Sequence, residues 1–362
     1  MSLGELYLDH AATSPLRPEA AAAMAEFAQP GYGNPSSLHR AGQHARAALT
    51  RLRRELGQLL NQEPQELYIT SGGTEANHLA LWGWVQKRRG QAPWAWYSPH
   101  EHPSVQRTLE QMQAQGLVQL EVLPLDPLGQ PQWPTTAPSQ PLLQVQMALA
   151  NETGHRFPPP PRWGHWHCDL VQGALLEEIA PYTQAESFTL SSHKLGGPRG
   201  VGLLKAKPGS LAPVVFGGGQ EQGLRPGTEN LAGIAGMTAA LRACRAEAAS
   251  LARHCQTLKE QILAQLPPGW EPVPGTGPSH ILALLAPQGN AQKLLYRLDQ
   301  KGIQAASGSA CASGNPEPSP ALLDMGLGLA RAEGLMRFSF SLQTPLDAAS
   351  RLIAVLQELH RG

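Results

Sequence analysis

Several side chains in this sequence stand where they could do chemistry. Cys311 lies in AASGSACASGNPEPSP, residues 305–320, a run of Ala, Gly, Ser and Pro with almost nothing to bury. A free cysteine usually behaves as a small buried hydrophobe, so a thiol carried in such a loop calls for a reason. Lys194 follows an apolar run in SFTLSSHKLGGPRG. An amine at a strand end, beside small hydroxyls and partly desolvated, can condense with a carbonyl. A surface lysine after a strand is the simpler account of that stretch taken alone.

Asp169 closes the apolar run of HWHCDLVQGA, with Gln172 three residues on. A buried carboxylate there can pair with a protonated heterocyclic nitrogen, the pairing that lets pyridoxal phosphate (PLP) act as an electron sink. By itself, Asp169 also reads as the N-cap of a following helix. In TSGGTEANHLALWGW, Gly72, Gly73 and Thr74 precede a helical pattern. Backbone N–H groups and a hydroxyl converge there at a positive helix end, which suits a phosphate. The stretch is neither a Walker loop nor a G-x-G-x-x-G fingerprint. His100, His102, His165, His167, Cys168 and Asp169 invite a metal reading, but no second cluster completes a ligand set. A His102 ring lying over a flat cofactor is preferred to structural zinc, and no resident metal is expected.

The elements that must position these groups are read from the pattern around them. LYLDHAATSP reads as a short strand and turn, RPEAAAAMAEFA as a helix with Pro18 in its first turn, and SLHRAGQHARAALTRLRRELGQLL as a long amphipathic helix. From Leu67 onward short apolar runs alternate with helices and Gly-rich turns, the signature of an α/β fold around a mainly parallel sheet. LAGIAGMTAALRACRAEAASLARHCQTLKEQILAQL is helical for long enough to bridge two domains. GPSHILALLA, a helix, the Cys311 loop, LMRFSFSL and a last helix then form a second unit. A large domain is expected over 16–248. A small domain, 1–15 with 249–362, would carry a mobile loop at about 305–325.

Lys plus Arg and Asp plus Glu balance at 28 each, and no basic run is longer than the three residues Lys87, Arg88 and Arg89. Nucleic acid is therefore not an expected direct partner. No apolar run approaches the roughly 20 residues that span a bilayer. The opening MSLGELYLDHAATSP lacks the features of a secretory signal, and four cysteines without a C-x-x-C pair argue against a disulfide framework. A cytoplasmic setting without membrane contact is the expectation.

Taken in order, YLDHAAT, GNPSSLHRAG, TSGGTEANHLA, EHPSV, ANETG, CDLVQG, LSSHKLGGPRGVG, GGGQEQGLRPGTEN, SGSACAS and RFSF resemble the cysteine desulfurases. These belong to the class V, fold-type I PLP enzymes. The likeness runs from Tyr7 to Ser341. It implies a large domain with a central, mainly parallel seven-stranded sheet flanked by helices, and a smaller α/β C-terminal domain. It further implies that Lys194 holds PLP covalently, Asp169 pairs with the ring nitrogen and Gln172 contacts the ring hydroxyl. His102 would stack on the ring and move protons. Gly73, Thr74, Ser191 and His193 would bind the phosphate, with Thr228 reaching in from the partner of a homodimer. Asn34, Asn151 and Arg337 would sit near the substrate carboxylate, Arg337 as a bidentate clamp, and Asn151 also near the cofactor.

Cys311 would be the nucleophile that takes sulfur from L-cysteine, leaving alanine and a persulfide. A flexible loop gives the thiol the reach to carry sulfur outward. The length of the segment from Gly308 to about Gly326 resembles the long-loop group, whose acceptors include iron–sulfur scaffolds and tRNA-thiolating enzymes. A transient iron–sulfur contact through Cys311 is the one metal contact left open. His10, where Asn is commoner, and Pro226, between Arg225 and Gly227, depart from the pattern. Arg225 is a candidate support for the Thr228 segment. Glu101 and Glu152 read as solvent-side or supporting groups. Two alternatives stand beside this reading: a cysteine, cystine or selenocysteine lyase that does not use Cys311 as carrier, and a catalytically silent scaffold subunit.

Overall fold

The computed structural model describes residues 5–28, 33–287, 290–308 and 318–361; Cys311 lies outside the described residues. The chain begins with strand β1 (Leu6–Tyr7), helix α1 (Pro18–Ala28) and helix α2 (Arg40–Leu60). Proline opens α1, where a missing N–H costs little. Helix α2 starts later than its amphipathic pattern suggests because the His39 ring accepts from the Gly42 N–H and caps it. Seven strands come next: β2 (Leu67–Thr70), β3 (Trp94–Tyr97), β4 (Gln119–Val122), β5 (Leu142–Val145), β6 (His165–Asp169), β7 (Ser187–Ser191) and β8 (Gly202–Ala206). Between them lie helices α3 (Gly73–Gln86) and α4 (Pro103–Ala114).

These strands form one sheet in the order β2-β8-β7-β6-β5-β3-β4. Its pairs are parallel from β4 to β7, and only β8 runs antiparallel, against both β7 and β2. Strands β2, β5, β7 and β8 are buried along their whole length, as expected of a sheet covered on both faces.

Helix α5 (Leu231–Leu263) comes after the sheet, then β9 (Glu271–Pro272), β10 (Ile281–Leu285), helix α6 (Ala291–Gln300), β11 (Ile303–Gln304), β12 (Ala306–Ser307), short helices α7 (Pro320–Asp324) and α8 (Leu329–Ala332), β13 (Leu335–Ser339) and helix α9 (Ala348–Arg361). A second sheet has the order β12-β13-β10-β9, and β1 pairs in parallel with β11. Helix α5 enters two cores. Leu231, Ile234, Leu241 and Cys244 pack beneath the large sheet, while Leu251, Cys255, Leu258 and Ile262 pack with Leu282, Phe338 and Leu352. No helix among the described residues is long and apolar enough to cross a membrane.

Candidate active site

A cavity of about 600 Å³ opens where the carboxyl ends of β6 and β7 meet the amino end of α3. This is the edge at which open α/β sheets bind ligands. Lys194, Asp169, His102, Gln172, Asn151 and Arg337 all line it, as do Gly73, Thr74, Ser191 and His193. Asn34 does not. It is exposed, and its Oδ1 accepts from the Ser36 N–H. Thr228 is exposed too and does not line this cavity. It lies on a loop anchored by Arg225, whose Nε donates to Glu75 Oε1 of α3 at 3.1 Å.

Strand β7 ends at Ser191, and a single 3₁₀ turn over Ser192–Leu195 delivers His193 and Lys194. Lys194 Nζ donates to the carbonyls of Ala11 and Ala12 at 2.7 and 2.6 Å. His193 Nδ1 meets Thr13 Oγ1 at 3.1 Å. The turn after β1 thus supplies one wall of the site. Burial lowers His193 to about 4, so its ring is neutral near pH 7.

After Asp169 the chain makes a tight turn and a short 3₁₀ stretch over Gly173–Leu175, not an α-helix. The simple capping role for this residue therefore falls away. Asp169 Oδ1 accepts from the Val171 N–H at 3.0 Å, and Oδ2 accepts from Asn77 Nδ2 at 2.8 Å. Gln172 is held at both ends, its Nε2 donating to the Ala11 carbonyl and its Oε1 facing His280 Nε2 at 3.0 Å.

His102 caps α4, with Nδ1 accepting from the Ser104 N–H at 3.1 Å and lying 2.8 Å from Ser104 Oγ. Burial lowers its affinity for a proton and Lys194 adds to that, against the opposing pull of Asp169. Glu101 is not on the solvent side. It is buried, Oε1 accepts from the Met147 N–H at 2.6 Å, and burial with Asp169 nearby pushes its carboxyl well up. Glu152 is also raised, first by burial.

Arg337 lies on β13 with its side chain only 3% exposed. It donates to Asp9 Oδ1 at 2.8 Å and to the Asn151 carbonyl at 2.9 Å. Its buried Nε has no partner among the described residues. Asn77, Ser104, Met147 and Arg199 also line the cavity, and sequence reasoning missed them. Asn77 stands one helical turn beyond Gly73, and Ser104 two residues beyond His102; that spacing was the available signal. His10 joins the turn after β1 to Ser341 through Nε2 at 3.1 Å.

A model of the aminotransferase class-V family matches residues 6–352. The chain belongs to that family. It is 34% identical to a cysteine desulfurase of Klebsiella pneumoniae, across 97% of this chain and 92% of that one. It is 32% identical to a NifS/IcsS protein homologue of Lactobacillus delbrueckii subsp. bulgaricus, across 98% and 97%. Among solved structures, a NifS-like protein superposes with a TM-score of 0.88 at 24% identity, covering 99% of each chain, and shares the fold.

The cofactor of this family is PLP, and the cavity fits it. Gly72 offers no side chain to cap α3, so the first N–H groups of that helix stay open toward the Thr74 hydroxyl and an anion. Gly202 lets β8 pass under this turn: a Cβ there would meet the Gly72 backbone at 2.6 Å. A carboxylate, an amine and an imidazole line the same space, the donor set a charged pyridine ring with an aldehyde requires.

Proposed function

We propose that this class-V chain is a PLP-dependent cysteine desulfurase, with L-cysteine as substrate and a sulfur acceptor downstream. The observation that carries the reading is the gathering of Lys194, Asp169, His102 and Arg337 around one cavity. The names of the relatives point the same way.

PLP, when bound, supplies an electron sink for the carbon that bears the substrate amine. Lys194 would anchor it covalently, Asp169 would keep its ring nitrogen charged, and Gln172 would contact its ring hydroxyl. Gly73, Thr74, Ser191 and His193 take the phosphate. In a homodimer Thr228, carried on an exposed loop tied to α3, completes the phosphate site of the partner. Arg337 and Asn151 orient the substrate carboxylate, and His102 moves protons at the reacting atoms. The Cys311 thiolate then attacks the substrate sulfur. An S–S bond forms as the Cβ–S bond breaks, and the carbon takes a proton to become the methyl group of alanine. The Cys311 persulfide passes its terminal sulfur to an acceptor such as an iron–sulfur scaffold or a tRNA-thiolating enzyme.

Incubation of the holoenzyme with L-cysteine tests this reading. Alanine, formed without ammonia and lost in Cys311→Ser, is the expected result. Pyruvate with ammonia, undiminished in that variant, would make the protein a lyase instead.

A further inference from the structure

One continuous hydrogen-bond chain runs behind the cavity and reaches its wall at Asn77, Ser104, Asp169 and His102. His165 Nε2 lies 2.9 Å from Ser187 Oγ, and Ser187 Oγ lies 2.9 Å from His167 Nδ1. His167 Nε2 is 3.0 Å from Asn77 Oδ1. Asn77 Nδ2 reaches Asp169 Oδ2 at 2.8 Å and Ser104 Oγ at 3.0 Å, and Ser104 Oγ reaches His102 Nδ1 at 2.8 Å. Asn77, Ser187 and His167 are buried.

Counting protons gives this chain a direction. The carboxylate Oδ2 only accepts, so the atom of Asn77 facing it is the amide nitrogen and the atom facing His167 is the oxygen. His167 must then donate from Nε2. Burial lowers this ring to about 3, so it is neutral with its single proton on Nε2, and Nδ1 accepts from the Ser187 hydroxyl. At the other end, Asn77 spends its second N–H on Ser104 Oγ. The Ser104 hydroxyl hydrogen is left for His102 Nδ1, which already accepts from the Ser104 backbone N–H.

We propose that Asn77 and Ser104 are positioning residues that hold the His102 ring in its Nε2–H tautomer while fixing the Asp169 carboxylate from the same amide. His102 therefore meets the substrate as a hydrogen-bond donor at Nε2, with Nδ1 turned to the protein. The two groups assigned to opposite duties on the cofactor are set by one side chain. This deepens the desulfurase reading and rests on it for the duty of His102; the tautomer itself is read without turnover, so the two can fail separately.

The test is ring-¹⁵N histidine NMR of the full-length holoenzyme, with the His102 signals identified by their loss in His102→Gln. The wild type should show protonated Nε2 and bare Nδ1. Ser104→Ala removes the hydroxyl but keeps the backbone N–H on Nδ1, so it should shift the tautomer only in part, with kcat for L-cysteine reduced roughly tenfold and KM unchanged, the loss expected for one hydrogen bond. Ser104→Thr should restore both. Asn77→Asp is the second probe, since an acceptor beside Ser104 draws the hydroxyl hydrogen away from His102. A wild-type His102 protonated at Nδ1, or a tautomer unmoved in both Ser104→Ala and Asn77→Asp, would overturn the proposal.

Discussion

Arg337 shows how a single residue joins folding to chemistry. Its guanidinium is buried against Asp9 and the Asn151 carbonyl, with Nε left over. A planar fork can grip a carboxylate at two points, whereas lysine offers a point charge. Arg337→Lys should keep the charge beside Asp9 yet raise KM for L-cysteine about tenfold or more, the worth of one charge-assisted hydrogen bond. Steady-state kinetics check this, and an unchanged KM would remove Arg337 from substrate binding. Lys194, Asp169, His102 and Arg337 are legible in the sequence because each lies inside a distinctive motif. Asn77 is not. A polar residue on a helix reads as a solvent-facing position unless the tertiary partners, here Asp169 and His167, are known. For Glu101 the sequence leaves solvent-side and supporting places both open, since nothing local distinguishes a buried carboxylate from an exposed one; its burial selects the second.

Among the elements, the junction of β2, α3 and β8 sets the phosphate end of the site. The Gly72 turn can lie against β8 only because residue 202 has no Cβ, which would otherwise fall 2.6 Å from the Gly72 backbone. Gly202→Ala should therefore displace the amino end of α3. PLP affinity of the apoenzyme, measured by titration, should fall at least about tenfold, alongside the ~1–3 kcal/mol cost of overpacking. Full affinity in this variant would detach α3 from phosphate binding. The alternation of apolar runs with helices announces a mainly parallel sheet. The reversed direction of β8 leaves no such trace, because a fully buried strand shows the same continuous apolar pattern in either direction. The 33-residue α5 is recognisable from its length, but its division between two cores depends on which turns face which sheet.

For the whole molecule, buried histidines govern behaviour in acid. Burial lowers His100, His165, His167 and His280 to about 3, and His10 and His193 to about 4. The unfolded chain binds protons at these rings near pH 6.5, so it gains protons first as pH falls. Their contribution to stability is present above that value and is lost between about 6.5 and 3. Glu101 and Glu152, raised by burial, act with the opposite sign, and two groups do not offset six. The melting temperature should drop steadily from pH 6.5 to 4, and a flat profile over that range would contradict this assignment. The reaction itself also belongs to the whole molecule, since the Cys311 thiol must meet a cavity built at the carboxyl edge of the large sheet. The claim rests most directly on the mass of the protein after one equivalent of L-cysteine, with fragmentation locating any added sulfur. One extra sulfur atom on Cys311 for each alanine released is the predicted result; alanine without sulfur on that residue, or sulfur on Cys168, Cys244 or Cys255 instead, would contradict it.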